Sequence, residues 1–304
     1  MRTFITRRAA LQAALIAALA GLHPLRAQAA IRREGIEARL KALETRAGGR
    51  LGVAVLDTAT GRLAGSRLDE RFALCSTFKA LAAACTLARV DRGQERLERR
   101  IFFTEQDLVM PFKATQPHLA DGMTIGQLCE AAVTVSDSTA ANLLLASLGG
   151  PSAFTAYMRS LGDSVTRLDR MELGLNIVKP GETHDTTSPR AMAGTLREVM
   201  LGHALSEPSR KTLTDWMTES RDAAERRLRL GLPKGWRIAN KPGTWEGIST
   251  NDIGVIFPPG RDPVVVAAFL AEAPGTIEQQ EAVLSEVARI VAEEILQGGK
   301  PSRG

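Results

Sequence analysis

The sequence predicts an α+β fold: an antiparallel sheet flanked by helices, joined to a second, all-helical lobe. Three observations predict it. Strand-like apolar runs lie near both ends of the chain, and a long helical block separates them. Neighbouring runs are joined by short segments rich in turn formers, as in hairpins, rather than by helical crossovers. The chain has 304 residues, 44% of them hydrophobic, which is ample for such a core.

Residues 1–29 read as an export signal. Arg7-Arg8 precede an apolar run from Ala9 to Leu22, which is too short to span a bilayer comfortably. Ala27-Gln28-Ala29 supplies small residues at the positions a signal peptidase reads. The paired arginines resemble a twin-arginine signal, which exports folded proteins. Next, Ile36, Leu40, Leu43 and Ala47 recur at helical spacing. Leu51 to Leu56 is strand-like, Asp57 to Gly61 is turn-like, and Arg62 to Ser66 returns, a hairpin pattern.

From Cys75 to Met217 the chain reads mainly as helices. Phe78 to Val90 lacks Gly and Pro. Ile125 to Ser136 and Thr139 to Leu148 are amphipathic, the second closed by Gly149-Gly150-Pro151. Ser188-Pro189 opens another helix running to about Leu201. Trp236–Lys241, Asp252–Phe257 and Val264–Leu270 are strand candidates, with Gly243, Gly247 and Pro258-Pro259-Gly260 in the turns. A last helix spans about Ile277 to Leu296. The expected organisation is therefore an α/β lobe from 30–74 and 218–300, and a helical lobe from 75–217 that carries an active-site loop at 170–185. The cleft between lobes is where a site is expected.

The formal charge of +5 is concentrated in residues 1–29, which hold four arginines and no acid. A near-neutral body gives no electrostatic reason to expect nucleic acid or an anionic membrane as partner. Cys75, Cys85 and Cys129 are too few for a disulfide framework. His23, His118, His184 and His203 form no metal-ligand spacing, so no metal or other cofactor is expected.

Four segments carry chemistry. Ser76-Thr77-Phe78-Lys79 stands where a loop meets a helix, so hydroxyl and amine share one face. A serine needs a neighbouring base to attack, and the helix N-terminus offers positive dipole to an oxyanion. Ser136-Asp137-Ser138 lies between two helices; Ser136 can pass a proton, and Asp137 can order the turn. In Lys241-Pro242-Gly243-Thr244 the lysine can attract an anionic substrate, while Gly243 permits close approach to the strand. Arg170 to Asn176, continuing to Asp185, reads as a loop whose ends meet through Arg170 and Asp185. Glu172 and Asn176 can hold one water between them. Each segment alone also fits a bland reading: a capped helix, an ordinary strand end, or a solvated loop with an incidental ion pair.

Taken together, in this order and spacing, they resemble class A serine β-lactamases, whose motifs are S-x-x-K, S-D-N and K-T-G. The resemblance extends over Asp121–Ile125, Leu128–Ala132, Ala140–Leu144, Gly149–Pro151, Val165–Arg170, Asp185–Thr187 and Leu213–Met217, from about Ile31 to Leu296. It implies a β-lactamase/transpeptidase-like fold, export to the periplasm or medium, a monomer, and β-lactam hydrolysis through an acyl-enzyme. Ser76 would be the acylated nucleophile and Lys79 its base or relay. Ser136 would protonate the β-lactam nitrogen, and Glu172 with Asn176 would aim the deacylating water. Lys241 would bind the substrate carboxylate, and the N–H groups of Ser76 and Thr244 would form the oxyanion hole.

The departures fall on substrate contacts. Ser138 replaces the usual asparagine and Pro242 the usual hydroxyl residue. Pro111 stands where an aromatic gate residue is common. With Thr250-Asn251-Asp252 on the next strand, Arg227 is the candidate anion-binding arginine. Cys75 and Thr244 resemble carbapenem-hydrolysing members, but Trp245 stands in place of their second cysteine, so free thiols are expected. Leu173 implies a cis peptide after Glu172, as in relatives with leucine there. The rival readings are a penicillin-binding D-alanyl-D-alanine peptidase, which generally lacks the glutamate loop, and a β-lactam sensor domain meant to stay acylated.

Overall fold

A computed structural model of the protein describes residues 35–298, apart from Pro180 and Asp222. The expected export signal lies outside the described residues. Helix α1 (Ile36–Ala47) leads into strands β1 (Arg50–Asp57) and β2 (Leu63–Ser66). The chain returns to the sheet only with β7 (Arg237–Trp245), β8 (Ser249–Phe257) and β9 (Val264–Ala271), followed by α10 (Ile277–Gly298). The five strands lie in the order β2-β1-β9-β8-β7, all neighbours antiparallel. β1 pairs with β9 along its whole length, from Arg50↔Ala271 to Asp57↔Val264.

Strands β8 and β9 of this sheet are buried on both faces, so β9 reads as a continuous apolar run and the side-chain period of two sorts it. Leu51, Val53, Val264, Val266 and Leu270 pack with Ile36, Leu40, Leu284 and Val291 of the two terminal helices. Ala54, Val265, Ala267 and Phe269 face the opposite core, formed with the central helices. Gly52 belongs to that second face for a steric reason. A Cβ there would sit 2.4 Å from the Phe72 ring and 2.9 Å from Pro189.

Between the two sheet segments run α2 (Phe78–Asp91), α3 (Ile125–Thr134), α4 (Ser138–Leu148), α5 (Pro151–Ser160), α6 (Pro189–Met200) and α7 (Glu207–Thr218). Every residue of α2 from Phe78 to Ala88 is buried. Its alanines are small enough for neighbours to close in on all sides. The local stops and starts are chemical. Thr124 and Gln127 form a capping box at α3, Asp137 caps α4 by accepting from Ala140 N, and Ser188 and Ser206 cap α6 and α7, each followed within two residues by proline.

Two details depart from the sequence reading. Helix α3 stops at Thr134, because the chain must turn sharply to pass through Ser136 at φ 58°. Gly243 is not a turn residue; it lies inside β7, opposite Asn251. Three two-residue strands, β4 (Arg100–Ile101), β5 (Met123–Thr124) and β6 (Thr186–Thr187), interrupt the helical segment, and β6 pairs with β3 (Phe72–Ala73). Two short helices, α8 (Ala223–Arg226) and α9 (Leu228–Gly231), precede the return to the sheet. Among the described residues no helix is long and apolar enough to cross a membrane.

Candidate active site

A 3₁₀ turn, Cys75–Thr77, delivers Ser76 to the tip of α2. Cys75 takes φ 45°, a left-handed value costly for a side chain with Cβ and concentrated at functional sites. The turn lies against the edge strand β7. A Cβ on Gly243 would come within 3.0 Å of Thr77 N and 3.1 Å of Leu74 O, so glycine is what allows the approach. Ser76 is half-buried. Among the described residues none hydrogen-bonds its hydroxyl.

Lys79, one turn further along α2, is fully buried. Its Nζ lies 2.9 Å from Glu172 Oε1 and donates to Ser136 O at 2.9 Å and Ser138 Oγ at 3.1 Å. Its three donors therefore have three partners. Ser138 thus contacts the lysine as well as lining the site.

The loop from Arg170 to Asp185 brings Glu172 to the lysine. The Glu172 side chain is 1% exposed, and Oε2 accepts from Asn176 Nδ2 at 2.6 Å. Asn142 of α4 brackets the glutamate backbone: its Oδ1 accepts from Glu172 N at 2.9 Å and its Nδ2 donates to Glu172 O at 3.2 Å. The Glu172–Leu173 peptide is cis, as the resemblance implied, and so is Met110–Pro111. Asn176 Oδ1 is buried and has no protein partner. At the loop's base Arg170 Nε donates to Asp185 Oδ2 at 2.6 Å, while Asp185 Oδ1 accepts from the Asp169 and Arg170 amides at 2.7 and 3.0 Å. Asp185 is fully buried, at φ 56°.

On the sheet side, Lys241 of β7 is 1% exposed. Its Nζ reaches Ser136 Oγ at 3.1 Å and Pro242 O at 3.2 Å. Burial, with the neighbouring charge of Lys79, holds its ammonium well below the usual lysine range. Ser136 therefore bridges the two lysines, its carbonyl to one and its hydroxyl to the other. Thr244 is half-buried at the strand's end. Arg227 is 1% exposed, and its guanidinium donates to Thr244 Oγ1 at 2.5 Å, Gly243 O at 2.9 Å and Asn251 O at 2.7 Å. The structure thus brings Ser76, Lys79, Ser136, Ser138, Glu172, Asn176, Lys241, Gly243 and Thr244 to one region, with Arg227 one layer behind and Arg170–Asp185 at the loop base.

Sequence reading passed over Asn142, Asn240 and Asp252. The signal for Asn142 was an amide within the apolar run of α4. For Asp252 it was a carboxylate at the head of the apolar run Ile253–Phe257. All three cysteines are buried free thiols, their pKa pushed up to about 12 chiefly by burial. Among the described residues no group of three or more His, Cys, Asp or Glu side chains is placed to hold a metal ion.

A serine at a helix tip, a lysine buried behind it and a carboxylate–amide pair on the facing loop define a serine hydrolase of the acyl-transfer kind. The comparisons make the assignment specific. Residues 35–295 match the Beta-lactamase enzyme family, to which the chain belongs. A β-lactamase of Streptomyces fradiae is 44% identical over 285 residues, 92% of each chain. The solved structure of an ancestral Gram-negative class A β-lactamase superposes with a TM-score of 0.84 at 56% identity, covering 85% of this chain and 99% of the other. A second ancestral form gives the same TM-score at 55% identity, over 86% and 99%. The protein is a class A serine β-lactamase, a hydrolase that opens the β-lactam ring through an acyl-enzyme.

Proposed function

We propose that Ser76 attacks the β-lactam carbonyl and that Glu172, with Asn176, aims the water that later frees it. The single observation carrying this reading is the buried Glu172 carboxylate, held between Lys79 Nζ at 2.9 Å and Asn176 Nδ2 at 2.6 Å. Asn176 Oδ1, which lacks a protein partner, is the free acceptor for such a water. Lys79, in contact with Glu172, Ser136 and Ser138, is the hub through which the serine proton leaves. Ser136, touched by Lys241, hands a proton to the departing ring nitrogen. Lys241 and the Thr244 hydroxyl draw the substrate carboxylate, and Arg227 acts by orienting Thr244. The Ser76 and Thr244 amides take the oxyanion. Arg170 and Asp185 keep the loop seated. Ser138 and Gly243 shape the substrate's path.

We further propose a two-lobe division at 30–74 with 218–300 and at 75–217, export directed by residues 1–29, action in the periplasm or medium, and a monomeric enzyme.

The test is turnover of a chromogenic cephalosporin beyond one equivalent, followed with two variants. Glu172→Ala is expected to accumulate acyl-enzyme, seen as a mass increase on the intact protein. Ser76→Ala is expected to show no adduct at all. Full activity in either variant overturns the corresponding role.

A further inference from the structure

A cleft of about 670 Å³ opens behind the loop, between residues 177–183, the turn from β7 to β8, the start of β1 and the end of β9. That is the size of a small-molecule site. None of the residues given a proposed role in β-lactam chemistry lines it. Ile177 and Val178 of the loop, Ile248 of the turn and Ala271 of β9 give it apolar walls, and Ile177 is left 47% exposed. Three cations and three carboxylates also line it: Arg50, Arg71 and Lys179, with Glu70, Glu182 and Glu272. Most of these charges are committed. Arg50 pairs with Glu272 at 3.0 Å and with Glu70 at 3.3 Å. Glu70 takes two further bonds from Arg67 Nη1, at 2.7 and 2.9 Å. Glu182 accepts from the Lys179 amide at 3.1 Å.

Arg71 is the exception. It is half-buried, just before β3, and its Nη1 donates to Val165 O at 3.1 Å and Thr186 Oγ1 at 2.9 Å. Both acceptors are neutral. Its Nε and Nη2 have no partner among the described residues. Asp163, the carboxylate that acts on it, is engaged elsewhere: Oδ1 accepts from the Val165 and Thr166 amides, both at 2.8 Å, and Oδ2 from Thr195 Oγ1 at 2.8 Å. Burial, then the nearby Arg167 and Arg159, lower the Arg71 pKa from its usual value, yet an arginine stays protonated. A partly desolvated cation without a counter-charge is stabilised by an incoming anion. Lys179, exposed on the loop, also has no side-chain partner among the described residues. We propose that the cleft is a second binding site, for a small amphipathic monocarboxylate whose carboxylate pairs with Arg71 in the field of Lys179 and whose apolar body lies on Ile177, Val178 and Ile248. One negative charge is what the lining favours. The six charges sum to zero, and a dianion such as phosphate meets three carboxylates and gains no apolar contact. The site is independent of the roles proposed for Ser76 and Glu172.

The probe is 2-naphthoate, titrated calorimetrically into the enzyme, with 2-naphthamide as its neutral counterpart and inorganic phosphate as an anion without an apolar body. Saturation at one equivalent with a Kd of about 1 mM or tighter is expected. Replacing the naphthoate by the naphthamide, or Arg71 by glutamine (Arg71→Gln), weakens binding about tenfold. Phosphate at equal concentration does not displace the naphthoate. Turnover of a chromogenic cephalosporin locates the site. An occupant behind the loop does not exclude the cephalosporin, so any inhibition is not competitive. Purely competitive inhibition with a Ki equal to the Kd places the naphthoate beside Lys241 and Thr244 and overturns the proposal. So does an absence of saturation, equal binding of the naphthamide, displacement by phosphate, or an unchanged Kd in Arg71→Gln. Where Arg71→Gln fails to fold, Ile248→Glu decides, because it sets a carboxylate in the apolar wall from a partly exposed turn. Binding is expected to vanish in that variant, and an unchanged Kd there overturns the proposal equally.

Discussion

Ser138 Oγ accepts from Lys79 Nζ at 3.1 Å, beside the Glu172 and Ser136 contacts. Removing the hydroxyl leaves the ammonium two partners and a small gap. A hydrogen bond of this kind contributes about 0.5–1.5 kcal/mol net, and more when one partner is charged. Ser138→Ala is therefore expected to slow acylation by roughly three- to tenfold, measured by stopped-flow with a chromogenic substrate. An unchanged acylation rate would mean that Glu172 and Ser136 alone position Lys79. At this scale Ser76, Lys79, Lys241 and Glu172, the residues given the main proposed roles, were legible because each sits in a short motif whose spacing has a chemical reason. Asp252 was not. Its buried carboxylate is held by Asn240 Nδ2 from the facing strand and by the Leu228 amide of α9, and no local spacing encodes that meeting.

At the scale of elements, the proposed roles make the loop the part that separates a hydrolase from a protein that only acylates. Its seat is Asp185, whose buried carboxylate takes two backbone amides and Arg170. Arg170 is partly exposed, with 37% of its side chain accessible, so the ion pair itself is screened and the amide bonds matter more. Asp185→Asn keeps one acceptor but turns a donor toward the Asp169 and Arg170 amides or toward the guanidinium. The expected result is a loss of about 1–3 kcal/mol in unfolding free energy, read from urea midpoints. Deacylation should fall more than acylation, because Glu172 and Asn176 ride on the loop while Ser76 does not. Equal losses in both steps would show that the loop is not the element moved. The helix and strand periods announced most elements, but not Gly243's place inside β7. The sequence offers Gly243 both as a turn former and as a point of close approach to the strand, and packing shows that what comes close is the Cys75–Thr77 turn.

For the molecule as a whole, acid is the informative stress. Glu95 accepts from Arg99 Nε and Nη2 at 2.7 and 2.6 Å, from Ser147 Oγ at 3.1 Å and from Arg96 N at 2.9 Å, tying the segment after α2 to the end of α4. The Arg99 hydrogen bonds lead the effect and outweigh burial, lowering Glu95 from 4.5 to about 2. Glu44 behaves alike across a different seam. Burial would raise it, but hydrogen bonds from Arg67, Lys41 and the Leu51 amide prevail and lower it to about 2, joining α1 to β1 and to the residue after β2. A carboxylate with a depressed folded pKa contributes stability that is complete above its unfolded pKa and is lost as pH falls through the folded one. Both clasps are therefore whole above about pH 5 and open progressively toward pH 2. Glu95→Gln removes one titrating clasp. The variant is expected to be less stable than wild type at pH 7 and to converge on it as the pH is lowered, because the wild type loses there what the variant never had. Urea midpoints taken at half-unit steps from pH 7 to pH 2 would check this, and parallel curves with a constant offset would show that Glu95 stabilises through packing rather than through its charge.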